Sequence, residues 1–244
     1  MPNRIMAHMV AFYPDRESSI KIAGALIDGG CSYLEIQFPF SDPTADGTYI
    51  QKACSRALQE GFKVNLGFRL ISKIRKLTDI PIFIMGYANT VCFHGVKKFL
   101  DECACSGAQG VIIPDLPFDY DEGIFSMGEK AGLNVIPVIA PSIQDERLRM
   151  ILSRGPEYVY AVLRKGITGS YTTIGDENIR FLKKVGAYRV KILSGFGIST
   201  KKQVNVLSAY VHASVVGTAF IKEIMQNSVK SPYKIIIEKM LALL

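Results

Sequence analysis

Residues 32–47 read "SYLEIQFPFSDPTADG" and carry three carboxylates, Glu35, Asp42 and Asp46. Glu35 stands inside an apolar run formed by Tyr33, Leu34, Ile36, Phe38 and Phe40, whereas the two aspartates follow in a stretch bracketed by prolines. Taking an unpaired carboxylate out of water costs several kcal/mol. Glu35 is therefore either a strand glutamate held by an ion pair or a carboxyl kept there to move protons. Further on, "LSGFGIST" (193–200) and "VVGTAF" (215–220) each end an apolar run in glycine and then open a helical stretch. Free backbone N–H groups and the positive end of a helix dipole suit such a turn to an anion, and glycine lets the backbone approach it closely. "RKGITG" at 164–169 reads as a glycine-bounded lid.

The elements that would position these groups follow from the hydrophobic pattern. Apolar runs occupy residues 5–12, 33–38, 81–85, 110–113, 134–139, 158–163, 190–193 and 213–216. Each is followed by a stretch of helical period; Val96, Phe99, Leu100 and Cys103 mark one apolar helix face. Thr200 and Gln203 form a capping box at another helix start, and Ser231-Pro232 opens a last helix carrying Ile235, Ile236, Met240 and Leu243. Strand-then-helix, repeated at roughly thirty residues per unit, predicts an α/β fold, a single (β/α)₈ TIM barrel with residues 1–244 as one domain. A doubly wound open sheet would show fewer strands and a glycine fingerprint after the first, where this chain has "FYPDRES". In a barrel, sites form at the C-terminal strand ends and phosphates bind at the loops after strands 7 and 8. The glycine turns fall at those two loops, and Glu35 points from the second run towards the same end.

Composition narrows the function classes. The 244 residues are 48% hydrophobic with mean hydropathy +0.19, as expected when central strands are covered on both faces. No apolar stretch approaches the ~20 residues of a membrane span, and the N-terminus lacks a signal-peptide pattern; a cytoplasmic protein with no membrane association is expected. Net charge is +7, but the basic clusters at 73–76, 97–98, 183–184 and 201–202 are spread over separate helical stretches. That pattern argues against nucleic acid and leaves a mild attraction for anionic small molecules. Five scattered cysteines read as reduced thiols, and three histidines without ligand spacing predict no metal.

With these motifs in order, the chain resembles the tryptophan synthase α-subunit family over nearly its whole length. "LEIQFPFSDPTADG" is similar to that family's signature around its catalytic glutamate and aspartate, and "MGYANTVCFHGVKKFL", "GVIIPDLP", "RKGITG", "GFGIS" and "GTAF" follow in the family's order. The resemblance implies a lyase that cleaves indole-3-glycerol phosphate to indole and glyceraldehyde 3-phosphate. It also implies a β subunit that carries pyridoxal phosphate and joins this chain in an α2β2 complex, with no cofactor in this chain. Glu35 would shuttle the proton, and Asp46 would accept the indole N–H. Gly169, Gly197, Gly217 and Thr218 would hold the phosphate; Tyr160, Phe196, Met85 and Ile112 would line the indole pocket. Thr168 of the lid would close onto Asp46, and Asp42, Pro43, Tyr87 and Asn89 would contact the β subunit. For Asp42 and Pro43, simple turn chemistry is an equal reading.

The chain departs from the family pattern in places. Gln37 and Phe12 stand where glycine is usual, Val10 where a hydroxyl is usual, and Leu163 and Lys165 where the lid has small or hydroxyl side chains. A shortened N-terminal helix region is expected before strand 1. Because Gln37 shares the strand face of Glu35, it is expected in the pocket mouth. These departures put the rate in doubt and support an alternative, chiefly an allosteric activating subunit of the β chain with weak or lost lyase activity. Another phosphosugar barrel, an isomerase or epimerase, would explain the glycine turns but not Glu35 with Asp46.

Overall fold

The computed structural model describes residues 3–163, 174–195, 197–226 and 232–244. Among these, the eight apolar runs become nine strands: β1 Ile5–Val10, β2 Tyr33–Gln37, β3 Ile82–Met85, β4 Gly110–Ile112, β5 Asn134–Ile136, β6 Val138–Ile139, β7 Tyr158–Val162, β8 Lys191–Gly195 and β9 Ala213–Val216. Every pairing is parallel, in the order β5-β4-β3-β2-β1-β9-β8-β7-β6. The two ends of that order are halves of one apolar run, separated only by Pro137. Proline has no N–H for a ladder, so the run pairs with β4 before it and with β7 after it. The Pro137 carbonyl still accepts the Tyr160 N–H at 2.9 Å. The sheet thus closes on itself as the expected α/β barrel.

Eleven helices accompany the strands among the described residues: α1 Arg16–Asp28, α2 Thr48–Gln59, α3 Val64–Arg75, α4 Ala88–His94, α5 Val96–Ser106, α6 Ile124–Lys130, α7 Asp145–Leu152, α8 Asp176–Gly186, α9 Lys201–Leu207, α10 Thr218–Gln226 and α11 Pro232–Leu241. Helix α5 buries Phe99, Leu100 and Cys103, three of the four residues expected on its apolar face. The capping box is present on α9: Thr200 Oγ1 accepts from the Gln203 N–H at 3.3 Å, and Gln203 Oε1 accepts from the Thr200 N–H at 3.1 Å. Helix α11 opens at Pro232 and buries Ile235, Ile236 and Met240, whereas Ser231 lies outside the described residues.

The period-two alternation of the strands sorts their side chains into two apolar layers. Ile5, Ala7 and Met9 of β1, with Leu34 and Ile36 of β2, face outwards into the layer beneath the helices. Met6, Tyr33, Phe83, Tyr158 and Leu193 face the barrel axis. At the N-terminal strand ends the rings of Tyr33, Phe83 and Tyr158 pack with centroids 5.8, 6.2 and 5.3 Å apart, and the Tyr33 hydroxyl lies 2.7 Å from His212 Nε2. This aromatic floor fills the bottom of the barrel. No helix among the described residues is long and apolar enough to cross a membrane, and all five cysteines are free thiols.

Candidate active site

A cavity of about 200 Å³ opens at the C-terminal strand ends. Glu35 of β2, Met85 of β3, Ile112 of β4 and Tyr160 of β7 reach it from inside the barrel. Asp46, from the loop between β2 and α2, covers one side, and Gly197, Gly217 and Thr218 border the other. Topology thus brings together eight residues singled out from the sequence. Thr168, Gly169 and Phe196 lie outside the described residues, as does the whole 164–169 stretch.

Glu35 is 3% exposed, and the β1–β2 register sets His8 directly beside it. His8 Nδ1 lies 3.3 Å from Glu35 Oε2, so both readings of this glutamate meet: it has an ion-pair partner and it faces the cavity. His8 was not singled out for the site. The signal available was its even-numbered position on β1, in phase with Met6, but only the register shows what stands opposite it.

Asp46 is 3% exposed and is held by three neighbours. Gln37 Nε2 donates to its Oδ2 at 2.7 Å, the Tyr87 hydroxyl donates to the same oxygen at 2.9 Å, and Gln51 Nε2 donates to its backbone carbonyl at 2.8 Å. Burial pushes the Asp46 carboxyl above the ordinary 3.8, opposed by the charge on His8 and by the Gln37 and Tyr87 hydrogen bonds. Burial thus works against the ionised form, and those three neighbours favour it. Burial and then the nearby carboxylates hold the Tyr160 phenol well above its usual value of 10, so it stays a neutral hydroxyl.

Several expectations are corrected. Gln37 does share the face of Glu35, yet it is fully buried beneath Asp46, beside Cys54 Sγ at 3.5 Å, rather than at the pocket mouth. Leu163 packs in the outer layer at 2% exposure, because Val162 takes the cavity-facing position next to it. Val10, the register partner of Gln37, is 1% exposed and packed in the larger apolar cluster, and it does not line the cavity. Tyr87 is 1% exposed with its hydroxyl turned onto Asp46, so its side chain faces the site rather than an outer surface. Asp42 and Asn89 are exposed, and Pro43 is buried in the turn that leads to Asp46. No cluster of metal-ligating side chains occurs among the described residues.

Fold and site together define a (β/α)₈ barrel with two buried carboxyl groups facing one cavity at the strand ends. The family model described as "Tryptophan synthase alpha chain" matches residues 2–242, and the chain belongs to that family. A protein named tryptophan synthase alpha chain from Helicobacter hepaticus is 36% identical over 235 residues, covering 93% of this chain and 88% of that relative. One of the same name from Methanosarcina acetivorans is 37% identical, covering 92% and 82%. Among solved structures, the tryptophan synthase complex from Pyrococcus furiosus superposes with a TM-score of 0.89 at 29% identity, covering 99% of this chain and 97% of that one.

Proposed function

We propose that this chain is the α subunit of a tryptophan synthase, one barrel domain over residues 1–244, which cleaves indole-3-glycerol phosphate by a retro-aldol reaction. The observation that carries the reading is that Glu35 and Asp46 face the same cavity, with Met85, Ile112 and Tyr160 along its walls. In this reading Glu35 protonates the indole carbon that loses its side chain and takes the proton from the hydroxyl at which the new carbonyl forms. Asp46 accepts the indole N–H, where positive charge develops as the ring is protonated. Gly197, Gly217 and Thr218 hold the phosphate at the start of α10 and the turn after β8, with Gly169 as their expected fourth member. Thr168 and Phe196 complete the lid and the indole wall.

The partner in this reading is a pyridoxal-phosphate β subunit in an α2β2 complex, which receives the indole, and the chain itself needs no cofactor. The exposed Asp42 and Asn89, with Pro43, form its contact, and Tyr87 acts through the position of Asp46. The place of action is the cytoplasm. The deciding experiment measures indole release from indole-3-glycerol phosphate, and tryptophan formation from indole and serine, in one complex reconstituted with a tryptophan synthase β subunit. Release that rises when the β subunit is added supports the lyase. Activation of the β reaction without cleavage would leave the alternative, an activating subunit with lost lyase chemistry.

A further inference from the structure

We propose that His8 is the positioning residue of Glu35 and that the two side chains hold one proton in common; its place in catalysis rests on the lyase reading above, whereas the proton sharing does not. Three observations converge on the imidazole. Its register partner on β2 is Glu35, with Nδ1 and Oε2 3.3 Å apart, an ion-pair contact rather than an aligned hydrogen bond, and both residues at least nine-tenths buried. Its other nitrogen, Nε2, is buried without a partner among the described residues, although His8 lines the cavity. The space it fills is kept open by Gly217: a Cβ there would stand 2.8 Å from His8 Cδ2 and 2.9 Å from its Cγ. A side chain at 217 and an imidazole at 8 exclude each other, so the absence of a side chain at 217 serves the histidine as well as any anion.

Two arrangements of the same proton are open to the pair, imidazolium with carboxylate or neutral imidazole with carboxylic acid. In the second, Glu35 has a proton for the ring carbon. Once it is given up, the pair is a carboxylate beside a neutral imidazole, and the proton from the breaking side chain's hydroxyl restores it. No proton is gained or lost, and the electrons of the broken carbon–carbon bond stay with the ring. His8 thus fixes the carboxyl, and its neutral imidazole stands beside the carboxylate until the hydroxyl's proton returns to the pair. The titratable groups facing the imidazole among the described residues are Glu35 on β2, Asp46 above it and Tyr160 from β7 across the barrel; Tyr87 and Cys54 act on it through Asp46. Burial pulls the histidine below its ordinary 6.5, and the two carboxylates overcome this to raise it.

The test has two arms. In the first, the His8 imidazole is titrated by NMR in the intact chain and in Glu35→Gln. The expected result is a midpoint above 6.5 that moves to lower pH in the variant; an unmoved midpoint overturns proton sharing. In the second arm, His8→Phe and His8→Asn are assayed for indole release in the complex after their folding is checked by thermal melting. A fall in kcat on the order of tenfold or more, with KM nearly unchanged and the high-pH limb of the rate profile displaced, is expected. Rates within about twofold and an unchanged profile in both variants would reduce His8 to packing. If the unsubstituted complex releases no indole, the lyase reading fails, and the titration still decides whether the two groups share a proton.

Discussion

Gln37 Nε2 lies 2.7 Å from Asp46 Oδ2, tying the loop aspartate to the strand that carries Glu35. The Tyr87 hydroxyl holds the same oxygen at 2.9 Å. A hydrogen bond to a carboxylate contributes about 1.5–3 kcal/mol, but Gln37 brings an offset, since its own Oε1 is buried without a partner among the described residues. We expect Gln37→Ala to lower stability by about 1–2 kcal/mol and to reduce kcat for indole release more than it raises KM. Urea unfolding and steady-state kinetics check this. A faster enzyme would mean that Gln37 restrains Asp46.

Glu35→Gln is nearly isosteric and is expected to leave the barrel folded. Cleavage should fall by about 10²- to 10⁴-fold, the usual worth of a positioned acid–base group, while activation of the β reaction with free indole persists. Normal cleavage in the folded variant would remove Glu35 from the mechanism.

Leu163 offers a contrast between the family pattern and the packing. Replacing it by serine would match the usual lid sequence, yet its side chain is 2% exposed in the outer layer. Truncating a buried leucine costs about 2–5 kcal/mol, and a buried hydroxyl adds to that. Leu163→Ser is therefore expected to lower the urea midpoint sharply without accelerating cleavage.

Phe12 has φ +68° where the family pattern carries glycine. Left-handed backbone costs a side-chain-bearing residue about 1–2 kcal/mol, which Phe12→Gly would relieve. The ring, however, is 2% exposed and packs edge-on against Phe62 at 5.4 Å, and removing such a ring costs about 3–5 kcal/mol. Packing wins, and the variant should be less stable by about 1–4 kcal/mol by urea unfolding. An increase in stability would show that backbone strain dominates.

Asp46 and His8 both have folded pKa values raised above their ordinary 3.8 and 6.5. Each group binds its proton more tightly in the folded chain, so its contribution to stability is fully present below the ordinary value. It is lost as pH rises through the folded value. Unfolding free energies measured across a pH series should decline with rising pH in two windows, one opening above 3.8 and one above 6.5. Asp46→Asn should flatten the first and His8→Phe the second. Curves that stay parallel to the unsubstituted chain would contradict the assignment.

The sequence by itself determined the barrel, because hydrophobic periodicity records which faces are buried: the eight runs, the apolar face of α5, the cap of α9 and the start of α11 are local statements. It also determined that Glu35 needed a partner or a task, since burying a bare carboxylate is costly wherever it occurs. Tertiary structure decided the rest. Which residue stands beside Glu35 is a matter of register between β1 and β2, and nothing in "IMAHMV" announces that His8 meets it. Pro137 splits a run that reads as one strand, because closing the barrel gives its two halves different neighbours. Val162 and Leu163 differ by one position and face opposite layers, so only the phase of β7 tells which of them reaches the cavity. Spacing along a chain specifies periods; the distances between separate strands that make Glu35, His8, Gln37 and Asp46 one site exist only once the sheet has closed.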